Sequence, residues 1–249
     1  MSSHRQKLAR AEVHIEDVEA LLADWRRDGY RAFEQAQGEG RFVFLAQQTK
    51  PLPDELPLVV GDALQCLRNS LDHIVFSLAK KARPTMTPKQ EKDVQFPISD
   101  AAIALIDSRI ACLDPTAAEE IRALAPDPGR QKLDQDPLWL LNKASNRDKH
   151  RELPIVAAAV GSTEYALSVS DGTDYFRDHG PQRLELNAHP VALFEYARSP
   201  GVQAQITFAC DVLFDKGIEV ADREVVAALR WFHDHIRDTV FQRLEPYLS

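Results

Sequence analysis

The sequence predicts an α+β fold: a helical bundle carrying the motif helices, an antiparallel β-meander and a returning C-terminal helix. Three observations predict it. Up to about residue 150, apolar residues recur at steps of three and four, the period of helices. From 155 to 210 they fall in short β-rich runs, some alternating strictly, as in Val202-Gln203-Ala204-Gln205-Ile206-Thr207-Phe208. The C-terminal stretch then returns to helical spacing with Val225, Leu229, Phe232, Ile236 and Val240.

Taken in order, Leu8, Ala11, Ile15, Val18, Leu22 and Trp25 predict an amphipathic helix over 3–28, ending near Gly29. Gly38-Glu39-Gly40 is a turn, followed by a short strand over 41–47. The proline-rich link 51–57 leads to a helix over 58–81, which stops before Arg83-Pro84. Val94-Gln95-Phe96-Pro97-Ile98 reads as an extended piece, followed by helices over 100–110 and 115–124. Asp114-Pro115 and Asp136-Pro137 are both cap-and-proline starts, the second opening a helix to about Arg151. Strands are expected over 155–160, 163–170, 182–187, 191–196 and 202–210, and a final helix over 222–244. The domain reading is a helical part over 1–153, a β-rich part over 154–220 and a C-terminal helix over 221–249 packing back, all in one compact unit.

With 44% hydrophobic and 27% charged residues in 249, the chain can bury a full core without staples. Its three cysteines are far apart and form no CxxC pair, which suits a reducing cytoplasm and indicates neither a disulfide framework nor a thiolate zinc site. No apolar run is long enough to span a bilayer, and the polar start is unlike a secretion signal. A net charge of -8 repels polyanions at long range, which argues against tight duplex DNA binding but leaves room for a local contact with RNA. No cofactor motif is present: Gly38-Glu39-Gly40 lacks the lysine of a phosphate loop.

The informative feature is Arg68-Asn69-Ser70-Leu71-Asp72-His73, set in an otherwise apolar helix. Val60, Leu64, Leu67, Leu71, Ile74 and Leu78 make its apolar stripe. Arg68 and Asp72 are four apart and able to pair, as are Asn69 and His73. Phe76 on the side away from the stripe implies that another helix or another subunit covers this face. One reading is a polar network in which Arg68 pairs with Asp72 and Asn69 orients His73. The other is acid-base chemistry, with His73 titrating near neutral pH and Arg68 gripping a phosphate.

An arginine, a polar residue, three more residues and a histidine resemble the signature of the HEPN superfamily, all-helical domains common among prokaryotic toxin and defence ribonucleases. The resemblance covers the helical part, about 56–151, and implies a metal-independent endoribonuclease site often shared across a homodimer. Arg68 would then stabilise phosphate charge, His73 would be the acid-base residue and Asn69 would support them. The chain also resembles a group of uncharacterised bacterial proteins that combine such a motif with a later Asn-x-Asp-Lys-His-Arg.

That later motif is Asn146-Arg147-Asp148-Lys149-His150-Arg151, at a helix end, with Asn146 and His150 again four apart. Positive side chains there complement the helix dipole. They also complete a set sufficient for RNA transesterification, with His73 and His150 as acid and base and Lys149 or Arg68 holding the phosphorane charge. A competing metal reading takes His73, His150, Asp72 and Asp148 as ligands. His233 and His235, two apart on a helix, read as surface residues, Asp178-His179-Gly180 as a turn, and Cys66 as a small core residue. Ser162 and Ser199 lack the context of a nucleophile elbow.

Overall fold

In the computed structural model, which describes residues 2–98, 103–127, 129, 132–151, 153, 155–160, 176–180, 182–197 and 209–249, helices form where the apolar period and the caps place them. The helices are α1 (Ser3–Arg26), α2 (Leu56–Ala82), α3 (Pro88–Asp93), α4 (Ile103–Ile110), α5 (Pro115–Leu124), α6 (Pro137–His150), α7 (Val225–His235) and α8 (Gln242–Leu244). The strands are β1 (Tyr30–Gly38), β2 (Arg41–Gln48), β3 (Ile155–Val160), β4 (Phe176–Asp178), β5 (Gln182–Arg183), β6 (Val191–Ala197) and β7 (Ala209–Phe214). The strands expected at 163–170 and 202–208 lie outside the described residues, as do Ser162 and Ser199. No helix among the described residues is long and apolar enough to cross a membrane.

The chain divides into two units. One comprises Met1–Val18, Pro57–Leu153 and Lys216–Ser249; the other comprises Glu19–Leu56 and Pro154–Asp215. These bounds differ from the sequential division at 153 and 220. The stretch 30–48 is a hairpin whose second strand pairs with β6, so it joins the strand-bearing unit.

In the helical unit, every residue of the α2 stripe is buried, each contributing about 1.5–3 kcal/mol by leaving water. The caps behave as read. Asp114 accepts from the Thr116 amide at 2.9 Å, and Asp136 from the Trp139 amide at 2.8 Å. The short α3 carries a capping box made by Thr87 and Gln90. α7 packs against α6, and α8 against α5, so the C-terminal stretch returns to the bundle. Between α7 and α8 the helix widens into a π turn over Ile236–Phe241.

In the other unit all strand pairs are antiparallel, with orders β1-β2-β6-β4 and β5-β3-β7, so pairing joins strands far apart in sequence. The β1–β2 turn places Gly38, Glu39 and Gly40 all at positive φ, which glycine tolerates at little cost. Phe44 lies opposite Phe194 and Phe42 opposite Tyr196, with rings stacked at 5.1 and 5.7 Å. Such cross-strand aromatic pairs fix register.

Candidate functional site

Along α2, a second line of residues runs beside the apolar stripe: Gly61, Gln65, Arg68 and Asp72, at steps of four, three and four. Each meets a partner in the helical unit, and three of them meet α6. The Asp148 carboxyl sits over Gly61, where a Cβ would lie 2.7 Å from Asp148 Cγ. Gln65 Nε2 donates to the Ser145 carbonyl at 3.0 Å and reaches Asp148 Oδ2 at 3.5 Å. Arg68 Nε donates to Asn142 Oδ1 at 3.2 Å. As the α2 number rises the α6 number falls, so the two helices run antiparallel along a polar seam.

Arg68 is 6% exposed, and its other two nitrogens are also engaged. Nη1 donates to Asp72 Oδ1 at 2.6 Å, and Nη2 to the Phe96 carbonyl at 3.0 Å. The Phe96 amide in turn donates to Asp72 Oδ1 at 2.9 Å. The segment 94–98, read from sequence as extended, pairs with no strand among the described residues. Arg68 and Asp72 take both backbone groups of Phe96, as a neighbouring strand would, while its ring is fully buried. Arg109, half-buried on α4, lies within electrostatic reach. Burial and the Arg68 charge lower its pKa, and Asp72 opposes them.

The histidine half of the motif goes elsewhere. Five residues of helix turn His73 about 140° away from Arg68. His73 is half-buried and close enough to His4 of α1 to act on its titration. The expected bond from Asn69 to His73 is absent: among the described residues neither side chain makes a hydrogen bond. Phe76 is half-buried, with Lys80 Nζ 5.6 Å from its ring centroid.

In the second motif Asn146, Lys149 and His150 are exposed, and Asp148 enters the seam. Burial raises the Asp148 pKa, Asp62 adds to this, and Gln65 and Lys149 oppose it. Continuing the antiparallel register sets His150 level with the start of α2. Its distance from His73 is then about 20 Å at 1.5 Å per residue. By this register the two Asn-x-x-x-His pairs, whose sharing of one site the sequence leaves open, stand at separate places on the unit. Among the described residues no three His, Cys, Asp or Glu side chains converge as ligands. No family model matches the chain, and the searches of curated proteins and of solved structures likewise return no match.

Gly61, Gln65, Asn142 and Ser145 were missed from sequence. Their signal is the spacing of 61, 65, 68 and 72, a line visible only once polar residues and glycine are placed on the wheel with the apolar ones. His233 is also corrected. It is 6% exposed, and Glu12 Oε2 and Asp234 Oδ1 each lie 3.2 Å from one of its ring nitrogens. Asp178-His179-Gly180 is the expected turn, with the Gly180 amide donating to Asp178 Oδ1 at 2.8 Å. Cys66 is half-buried, and burial raises its pKa.

Burial lowers the pKa of His4, against the pull of Glu245, and that of His235, against Asp136. A histidine with a depressed folded pKa stabilises the fold in its neutral form. That contribution is present above the unfolded value near 6.5 and is lost as pH falls through the folded pKa. The melting temperature is therefore expected to fall between pH 7 and 5, before carboxylates titrate, and to fall less in His4→Asn. Melts at half-unit pH steps check this; an identical slope in the variant would reject His4 as a source.

Proposed function

We propose that this chain is a non-catalytic binding or interaction protein that keeps Arg68, Asp72 and Asn142 as a structural network. One observation carries the reading: all three guanidinium nitrogens of the buried Arg68 are engaged inside the fold. An arginine that must meet a phosphate would have to leave those partners. Three cysteines outside any disulfide support a cytoplasmic setting.

A second reading, the metal-independent endoribonuclease of a toxin or defence system, keeps one support. His73 is half-buried, makes no side-chain hydrogen bond among the described residues, and lies within electrostatic reach of a second histidine, His4. RNA as substrate and a homodimer as working form belong to that reading. Incubating purified protein with structured and single-stranded RNA, with and without EDTA, separates the two. No cleavage by the parent protein is expected. EDTA-resistant cleavage, lost in His73→Ala with an unchanged melt, would instead establish the nuclease. Light scattering at micromolar concentration decides the dimer.

A further inference from the structure

In the helical unit a cavity of about 390 Å³ opens where the end of α5, the stretch 132–137 ahead of α6 and the C-terminal helix come together. Leu133–Gln135 is a single 3₁₀ turn, and Asp136-Pro137 starts α6. On the opposite side the chain passes from α7 through the π turn at 236–241 into α8. π turns inside helices occur often at functional sites. His235 precedes this one, Thr239 lies within it and Arg243 follows it, and all three line the cavity. Ala123, Leu124 and Pro137 supply the apolar part of the wall.

Three polar side chains of this cavity, those of Lys132, His235 and Thr239, make no hydrogen bond or ion pair among the described residues. None of their polar atoms is sealed from solvent, unlike the unpartnered Ser145 Oγ. His235 and Thr239 are half-buried and Lys132 is exposed, so the three span the cavity from wall to rim. Arg243 donates from Nε and Nη2 to Glu120 Oε2 at 2.9 and 2.6 Å, while its Nη1 makes no hydrogen bond among the described residues. The one carboxylate in the wall, Asp136, accepts from the Trp139 amide at 2.8 Å. Two permanent cations thus meet one carboxylate, and N–H and O–H donors outnumber the acceptors beside them. A ligand with several anionic oxygens satisfies such a set, since charge-assisted bonds are the stronger ones. An anion here would also favour protonated His235, which burial disfavours and Asp136 supports.

We propose that this cavity binds a phosphate group, held by Lys132, His235, Thr239 and Arg243 Nη1, with any organic part of the ligand lying on Ala123, Leu124 and Pro137. A phosphate alone fills only part of a cavity this size, which leaves room for the body of a small phosphomonoester. The site shares no residue with the α2–α6 seam, and its success or failure does not depend on what Arg68 does.

The test titrates inorganic phosphate and, separately, phenyl phosphate into the full-length protein at constant ionic strength, followed by the His235 ring signals in NMR and by calorimetry. Saturable binding is expected, with a Kd of about 1–10 mM for ligands of this size. Tighter binding of phenyl phosphate than of inorganic phosphate assigns the site to a phosphomonoester; equal or weaker binding assigns it to free phosphate. Phenol, which lacks the phosphate, should bind about tenfold more weakly than phenyl phosphate. Lys132→Ala and His235→Leu should each weaken the phosphate compounds by about fivefold, the loss of one charge-assisted contact. Lys132 is exposed and pairs with nothing among the described residues, so its variant decides should His235→Leu unfold. No saturation by either phosphate compound, equal affinity for phenol, or full affinity in either folded variant would overturn the proposal.

Discussion

Replacing Arg68 with alanine is expected to lower the unfolding free energy by about 3 kcal/mol, because the partner of a largely buried ion pair is removed and its acceptors are stranded. Three acceptors lose their donor together: Asn142 Oδ1, Asp72 Oδ1 and the Phe96 carbonyl. Asp72 retains about a third of its exposure and one amide bond, which keeps the loss at the low end of the range for buried pairs. For a chain of this length the melting temperature should drop by about 6–12 °C. Arg68→Lys keeps the charge but not the fork and should fall between parent and alanine. Pairing Arg68→Met with Asp72→Leu should recover part of the loss, since neither charge is then left alone. Hydrogen exchange should show the amides of 94–98 opening first, since Arg68 and Asp72 hold both backbone groups of Phe96. An alanine variant that melts with the parent would remove the structural reading of the motif.

That role for Arg68 marks where sequence reading stops. α1, α2, α5, α6 and β3 are legible almost to the residue, because an apolar period or an Asp-Pro start fixes each of them. β1 is not. Its Tyr-Arg-Ala-Phe-Glu-Gln-Ala-Gln run is rich in helix formers and mostly exposed, so its strand state comes from pairing with β2 rather than from local preference. The pairs β2–β6 and β3–β7 are tertiary facts with no local signature. In the site, the Arg68–Asp72 pair follows from four-residue spacing, and it forms. Where each side of the helix points does not follow. Arg68 turns to α6 while His73, on another side of the helix, lies within electrostatic reach of His4, which one wheel cannot reveal. The shared Asn-x-x-x-His spacing of the two motifs is a local likeness without a common location.

Valine in place of Gly61 should destabilise the protein by about 1–3 kcal/mol, the usual range for forcing atoms into a packed interface. A Cβ at 61 alone would lie 2.9 Å from Asp148 Oδ2 and nearer still to Cγ and Oδ1. Either the carboxyl swings out, giving up Gln65, or α2 and α6 separate along the seam that also holds Arg68. Asp148→Ala distinguishes the two. The folded pKa of Asp148 is raised, so its ionised form is disfavoured by folding; stability from this group is present below the unfolded value near 3.8 and lost as pH rises. At pH 7 the alanine variant alone should therefore cost little. In its background Gly61→Val should lose less than half of what it loses in the parent, because the clash has been removed, and the two changes should be clearly non-additive. Additive losses in denaturant melts would mean that valine disturbs something other than Asp148. Non-additivity would place the aspartate of the second motif against the first motif's helix as a packing residue. This contact at the start of α2 lies far from His73.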